Sequence, residues 1–151
     1  MQVLKFGGTS VANAQNISLV KNIVSNVAQG NVIVVVSALG GVTDLLLKTA
    51  SLASEQNAAY LEKAKEIEAR HIETIKEIIP IKQQSKVLSM VKSELNNLET
   101  LLEGAYLIGE ITPKLSDKIV SYGELLSSYI ISEYFISEGL ASSYKDSREL
   151  I

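Results

Sequence analysis

The stretch Lys5-Phe6-Gly7-Gly8-Thr9-Ser10 decides the fold, because two consecutive glycines join a predicted strand, Gln2-Val3-Leu4-Lys5, to a predicted helix. Glycines have no Cβ atom and permit unusual φ angles, so successive backbone N–H groups can converge on one anion. Thr9 or Ser10 is predicted to cap the helix, whose N-terminus favours negative charge. With Lys5 adding a full positive charge, this first glycine turn (residues 7–10) is predicted to bind phosphate.

The motif differs from the common phosphate-binding loops. In a Walker A loop the lysine follows the glycines, whereas Lys5 precedes Gly7 and Gly8. No Gly-x-Gly-x-x-Gly pattern follows the strand, which counts against a Rossmann loop and a protein kinase loop. Taken alone, the motif is also compatible with an ordinary strand-to-helix turn that carries a solvated lysine.

A second unit of similar design follows. The β-branched run Val32-Ile33-Val34-Val35-Val36 predicts a parallel strand buried on both faces. It leads into a second glycine turn, Ser37-Ala38-Leu39-Gly40-Gly41-Val42-Thr43-Asp44. Another helix is predicted from Leu45, with Thr43 and Asp44 as capping residues.

The segment between the two strands predicts a helix that Gly30 ends, since it carries apolar residues at helical spacing: Ile17, Val20, Ile23, Val24 and Val27. Strand, helix and strand make a βαβ unit, whose crossover is expected to be right-handed. Both glycine turns should therefore leave the carboxyl edge of one sheet, where open α/β sheets bind ligands. The two turns together predict a site for phosphate and a small polar substrate.

The middle of the chain predicts a long helical hairpin, at about residues 58–109, packed beside the sheet. The apolar face of its first helix, which Pro80 ends, consists of Leu61, Ala64, Ile67, Ile72, Ile75 and Ile78. The face of the second consists of Leu88, Val91, Leu95, Leu98, Leu102 and Ala105. Charged residues including Glu68 and Arg70 are expected on a solvated outer face. His71, the only histidine, lacks metal-ligand partners and is expected to have a packing role.

Residues 119–136 are apolar on nearly every side and predict a buried helix. Glu124 lies in it directly after Gly123, which weakens a helix by about 1 kcal/mol relative to alanine. Because buried carboxylates usually have a partner, Glu124 is a candidate ligand-binding residue. The alternatives are an exposed position and an ion pair with Lys118.

The residues after Gly139 predict a third strand over 140–146. Asp146 and Arg148 follow at its end and would return to the sheet edge that carries the glycine turns. Two interpretations stay open: the two side chains line the pocket, or they form a surface ion pair.

Four segments of the chain resemble aspartokinases, above all those fused to a homoserine dehydrogenase. Residues 1–13 resemble the amino-terminal motif of that family, and residues 35–44 resemble its second motif. Residues 121–127 look like its glycine-glutamate helix segment, and residues 146–151 look like the exit from a strand that closes the amino-terminal half. The four motifs occur in the family's order along the whole chain.

The resemblance implies an α/β fold of the amino-acid kinase (carbamate kinase-like) type, an open and mostly parallel sheet with flanking helices. Residues 1–151 would form its amino-terminal lobe, with the helical hairpin. The implied reaction transfers the γ-phosphoryl group of ATP, carried with Mg²⁺, to the side-chain carboxylate of L-aspartate. The product, 4-phospho-L-aspartate, belongs to the first step of the lysine, threonine and methionine pathway.

The resemblance also implies residue roles. Lys5 would stabilise charge on the transferred phosphoryl group, and the phosphate- or ATP-binding set would be Lys5, Gly7, Gly8, Thr9 and Ser10. L-Aspartate would be held by Ser37, Gly41 and Thr43, with Glu124 binding its α-ammonium group. No Mg²⁺ ligands are assignable in these residues.

The family has a second half that carries most of the adenine and ribose contacts and further catalytic residues. This chain matches the first half alone, so we expect a fragment that is inactive by itself and a homo-oligomer in the full-length enzyme. Two alternatives remain: a non-catalytic α/β module that binds an anion or an amino acid, and an amino-acid kinase with a different acceptor.

Composition is that of a globular protein, with 46% hydrophobic and 21% charged residues. The net charge is −3 and no basic cluster occurs, so no nucleic-acid partner is expected. Cysteine is absent, which excludes disulfides and fits a cytoplasmic protein. No apolar run approaches the roughly 20 residues that span a bilayer, so no membrane partner is expected.

Overall fold

The computed structural model describes residues 1–27 and 30–150. In chain order the elements are β1 (Gln2–Phe6), α1 (Ala14–Val27), β2 (Val32–Val36), α2 (Val42–Ser54), α3 (Tyr60–Ile78), α4 (Ile81–Ile108), α5 (Pro113–Ser137) and a 3₁₀ turn (Ser147–Glu149). The described part is therefore mostly helical, with a small parallel sheet. None of its helices has both the length and the apolarity that a membrane crossing requires.

The predicted βαβ unit is confirmed. β1 and β2 pair in parallel, in a register that runs from Gln2 opposite Val32 to Phe6 opposite Val36. The pairing continues one step further, because the Ser37 N–H donates to the Phe6 carbonyl at 3.0 Å. Both strands therefore end at the same edge, and both glycine turns leave from it.

Helix α1 begins later than predicted. It starts at Ala14, and the Asn13 side-chain oxygen accepts a hydrogen bond from the Asn16 N–H at 2.9 Å. Thr9 and Ser10 are therefore not the capping residues. They lie inside the turn, where the Ser10 N–H donates to the Gly7 carbonyl at 3.0 Å.

The second helix boundary also needs correction. α2 begins at Val42 rather than Leu45, and Gly41 occupies the cap position with φ 78°. That left-handed backbone carries little strain in glycine because it has no Cβ atom. Thr43 and Asp44 lie in the first turn of α2 instead of capping it. The negative charge of the Asp44 carboxylate interacts favourably there with the positive end of the helix dipole.

The sheet is covered mainly on one face, so the prediction that β2 is buried on both faces is wrong for the described residues. Val3, Ile33 and Val35 are 61%, 46% and 43% exposed, whereas their strand neighbours pack partly into the core. The continuous β-branched run is typical of a strand with a layer on either side. The described residues cover one side far better than the other.

The helical hairpin is confirmed, since α3 and α4 pack together across the break at Ile79 and Pro80. Its main neighbours are α2 and α5, so the prediction that it lies beside the sheet is wrong. Within its first helix, Leu61 is also misplaced, because it is 52% exposed while Tyr60 is buried.

The outer face of the hairpin is less solvated than predicted. Glu68 is half-buried and lies 3.9 Å from the Lys92 ammonium on α4. Arg70 is half-buried as well, and its guanidinium donates to the Ala12 carbonyl. His71 is fully buried, as a packing role requires.

The predicted buried helix is α5, which contributes more buried residues than any other described element. The predicted third strand is wrong: residues 140–146 form no strand and pair with neither β1 nor β2. They lie along α5 instead, where the Tyr144 ring meets the Tyr129 ring edge-on at 5.6 Å. The Ser142 hydroxyl donates a hydrogen bond to the Ser132 carbonyl at 3.3 Å. This segment therefore packs on α5 and not beside a strand.

Candidate functional site

The two glycine turns touch each other. A Cβ atom at Gly8 would lie 3.9 Å from the Ser37 hydroxyl oxygen and 3.7 Å from the Ala38 carbonyl oxygen. A Cβ atom at Gly40 would lie 2.9 Å from the Cβ atom of Ala12. The structure therefore brings the predicted phosphate-binding and substrate-binding segments into one place.

In the first turn, the backbone conformation does not require glycine. Neither Gly7 nor Gly8 has a positive φ, so the predicted unusual φ angles are absent. A Cβ atom at Gly7 would meet no other atom within 4 Å, so a side chain there would fill the open space in front of the turn. Lys5 is exposed on β1, opposite Val35 in the strand register.

The first turn is tied to the helix that follows it. The Asn16 side-chain amide donates to the Thr9 carbonyl at 2.8 Å. Thr9 itself is exposed and Ser10 is half-buried. The turn therefore has a fixed shape, with an exposed hydroxyl and an exposed lysine on either side of its glycines.

The second turn presents its polar groups at the same edge. Ser37 is half-buried at the end of β2, and Thr43 is half-buried in the first turn of α2. Between them the Val42 N–H donates to the Leu39 carbonyl at 3.0 Å, and Gly41 is exposed. The left-handed Gly41 turns the chain sharply, so that α2 begins beside the strand end.

Helix α5 docks on this second turn. A Cβ atom at Gly123 would lie 2.7 Å from the Ala38 Cβ and 3.3 Å from a methyl carbon of Leu46. One turn later, the Ser127 hydroxyl donates to the Ser37 carbonyl at 2.6 Å. The glycine is thus a close-approach site between α5 and the turn after β2.

Glu124 follows Gly123 at the edge of this docking contact. Its side chain is exposed, so the prediction of a buried carboxylate is wrong, while the helix that carries it is buried. The ion pairs of the described residues do not include Glu124, and Lys118 is therefore not its partner. An exposed carboxylate beside the second glycine turn can meet a cationic group from solution.

Asp146 and Arg148 bind each other. The Arg148 guanidinium lies 3.0 and 2.5 Å from the Asp146 carboxylate through its Nε and Nη2 atoms, and the Arg148 N–H donates to Asp146 Oδ1 at 2.9 Å. These hydrogen bonds lower the pKa of Asp146 and raise the pKa of Arg148. The structure therefore shows the ion pair between Asp146 and Arg148, and a role of these two residues in the pocket stays a prediction.

A cleft of about 320 Å³ opens between the second glycine turn and α3. Gly40, Gly41 and Arg70 line it, together with Glu66 and Glu73. From this side Arg70 holds the Ala12 carbonyl, so α3 supports the junction of the two turns.

Sequence reasoning missed Ser127 and Arg70 as contacts of the turns. Arg70 has the pattern of a solvated helix residue, and no local signal distinguishes it from its charged neighbours. Ser127 has no distinguishing local signal either, because α5 carries several other polar residues, among them Ser121, Ser128 and Ser132. Both contacts join segments far apart in the chain, which only the fold brings together.

Comparison with known proteins places these features in a family. The chain is 30% identical over 149 residues to bifunctional aspartokinase/homoserine dehydrogenase 1, chloroplastic, of Zea mays, which covers 99% of this chain and 16% of that protein. It is 32% identical over 151 residues to aspartokinase 1, chloroplastic, of Arabidopsis thaliana, covering 98% of this chain and 26% of that protein.

Among solved structures, that of E. coli aspartokinase III in complex with aspartate and ADP (R-state) superposes with a TM-score of 0.84 at 29% identity. The match covers 98% of this chain and 31% of that chain. The chain thus spans less than a third of the length of each of these proteins. Residues 1–150 match the family described as the amino acid kinase family. From this match and the shared fold, the chain belongs to the amino acid kinase family.

Proposed function

We propose that the protein containing this chain is an aspartate kinase, which transfers the γ-phosphoryl group of ATP to the side-chain carboxylate of L-aspartate. The observation that carries the proposal is the contact between the two glycine turns at one sheet edge, with Glu124 beside the second. Similarity to aspartokinases along the whole chain, including one solved with aspartate and ADP, supports the choice of acceptor.

The first glycine turn would hold the transferred phosphoryl group. Phosphoryl transfer passes through a loose transition state, so catalysis depends on positioning and on neutralising charge. The exposed Lys5 ammonium would neutralise charge on the phosphoryl oxygens. Gly7 and Gly8 would let those oxygens approach the backbone, with Thr9 and Ser10 as further polar contacts of ATP.

The second glycine turn and α5 would hold the amino acid. Ser37, beside Gly8 of the first turn, and Gly41 and Thr43 of the second turn would offer hydroxyl and backbone groups to the substrate. The Glu124 carboxylate would pair with the α-ammonium group. The attacking carboxylate of aspartate is already ionised at neutral pH, because its ordinary pKa is about 4. The reaction therefore requires no general base.

Mg²⁺ would enter this site with ATP, whose phosphates it neutralises. Within residues 1–27 and 30–150, no group of three or more His, Asp or Glu side chains is placed to hold a metal ion. Lys5 would add the positive charge of this chain to the same phosphates.

The test is an acceptor panel with the protein as its gene encodes it. ADP release is measured with L-aspartate, L-glutamate, carbamate and a nucleoside monophosphate, and hydroxylamine traps any acyl phosphate as a hydroxamate. We expect ADP release and hydroxamate with L-aspartate only. Turnover with another acceptor would assign a different amino acid kinase activity. Binding of ATP or aspartate without turnover would favour a non-catalytic module.

A further inference from the structure

We propose that Ser127 is a positioning residue for the amino-acid substrate, because its hydroxyl joins the two elements that carry the predicted substrate ligands. The inference rests on the proposed function, in which Ser37 and Glu124 both contact L-aspartate. Ser127 would act through Ser37 and Glu124, without touching the substrate itself.

The Ser127 hydroxyl is placed to do this. Ser127 is fully buried. Its hydroxyl oxygen lies 2.6 Å from the Ser37 carbonyl oxygen and 3.3 Å from the Glu124 carbonyl oxygen. A hydroxyl donates one hydrogen, so the short contact to Ser37 is the main bond. A single side chain thus links the end of β2 to the turn of α5 that carries Glu124.

This bond completes the fixing of the Ser37 backbone. On one side the Ser37 N–H donates to the Phe6 carbonyl at 3.0 Å, and on the other the Ser37 carbonyl accepts from Ser127. With both flanking peptide planes held, the direction in which the Ser37 side chain leaves the backbone is set. The close approach of Gly123 to Ala38 keeps α5 near enough for the bond to form.

Ser127→Ala removes this bond and leaves the carbonyl of the half-buried Ser37 without this donor. We expect the KM for L-aspartate to rise about tenfold, the effect of losing one hydrogen bond that orders a binding site. The KM for ATP should stay within about twofold, because the hydrogen bonds that shape the first glycine turn do not involve Ser127. Ser127→Cys, which keeps a weaker donor, should lie between wild type and Ser127→Ala.

The matched control is Ser128→Ala. The neighbouring hydroxyl bonds the Glu124 carbonyl at 2.6 Å and the Leu125 carbonyl at 3.1 Å, both inside α5, and does not reach Ser37. Its removal tests the loss of a hydroxyl from the same helix without the link to β2. We expect both KM values to stay within about twofold of wild type.

The experiment measures kcat and both KM values in the intact protein, with calorimetric binding of L-aspartate as a readout independent of turnover. A selective rise in the aspartate KM and Kd for Ser127→Ala, with partial recovery in Ser127→Cys, supports the inference. Equal changes in both KM values, or values equal to those of Ser128→Ala, overturn it. If Ser127→Ala fails to fold, Ser127→Cys carries the same comparison. A wild-type protein that does not phosphorylate aspartate contradicts the proposed function itself.

Discussion

Lys5 and Glu124 are the charged side chains to which the proposed mechanism assigns opposite tasks. Both are exposed, and they lie on β1 and α5, which are far apart in the chain. Lys5 adjoins the first glycine turn, which would bind phosphate, while Glu124 adjoins the second, which would hold the amino acid. Substitution of each should therefore affect a different kinetic constant.

Replacing Lys5 with methionine should abolish turnover and leave aspartate binding largely intact. Loss of one group that stabilises transition-state charge lowers kcat by about a hundredfold or more. Steady-state kinetics and calorimetric aspartate binding in the intact protein check this. Lys48→Met, at an exposed lysine of α2, is the matched control and should keep wild-type kcat. Unchanged turnover in Lys5→Met would remove Lys5 from the mechanism.

Replacing Glu124 with alanine should weaken aspartate binding about tenfold to a hundredfold, because a charge-assisted hydrogen bond to the α-ammonium group is lost. The protein should remain folded, since Glu124 is exposed. Asp117→Ala, at an exposed carboxylate on the same helix, serves as the control and should bind aspartate normally. An aspartate affinity equal to that of wild type would give Glu124 a structural role only.

At the scale of elements, the contact between α5 and the turn after β2 holds the candidate site together. An interior glycine costs helix stability, yet a Cβ atom at Gly123 would lie 2.7 Å from the Ala38 Cβ. That distance is too short for two carbon atoms, so α5 and the turn would have to separate. The helix stability that glycine costs is thus offset by the close packing of α5 on Ala38, which any residue with a Cβ atom would prevent.

Gly123→Ala should therefore destabilise the protein, by about 1–3 kcal/mol for an overpacked core contact. Gly104→Ala is the matched control, since a Cβ atom there would meet nothing within 4 Å on α4. It should stabilise the protein by about 0.5–1 kcal/mol through helix propensity alone. Urea unfolding of both variants measures the difference. Equal effects at the two glycines would mean that α5 does not depend on close approach to Ala38.

At the scale of the whole molecule, the core is formed by helices and contains one titratable imidazole. His71 is fully buried, and its Nδ1–H donates to the Ile67 carbonyl at 2.7 Å. Its Nε2 atom has no hydrogen-bond partner among the described residues. Burial lowers the pKa of His71 from its ordinary 6.5 to about 4, with a smaller opposing effect from the Ile67 carbonyl and a further lowering by Arg70.

The unfolded chain therefore binds a proton between about pH 6.5 and 4 that the folded chain does not bind. In this window the free energy of unfolding should fall as the pH falls, by up to about 3 kcal/mol from this group. His71→Asn keeps an N–H donor near the Nδ1 position and cannot titrate. Urea unfolding at several pH values should show a shallower pH dependence in His71→Asn. Parallel curves for the two proteins would exclude His71 as the cause.

Much of the fold could be predicted because its signals are local. The β-branched run of β2, the helical spacing of α3 and α4 and the apolar length of α5 are each confirmed. The failures concern partners. Residues 140–146 are predicted as a strand but lie on α5. Thr9 and Ser10 have the chemistry of capping residues, but Asn13 caps α1. Arg70 donates to a carbonyl that is far away in the chain.

By itself the sequence determined the two strand–glycine–helix turns, the parallel pairing that places them at one edge, and the family resemblance. These depend on residue type and spacing over short distances, where side-chain volume and backbone freedom act directly. Only the tertiary structure decided that Gly123 serves close approach and that Ser127 holds Ser37. It also showed that Glu124 is exposed beside the turns. Those features arise from contacts between distant segments, because which groups meet depends on how whole helices pack.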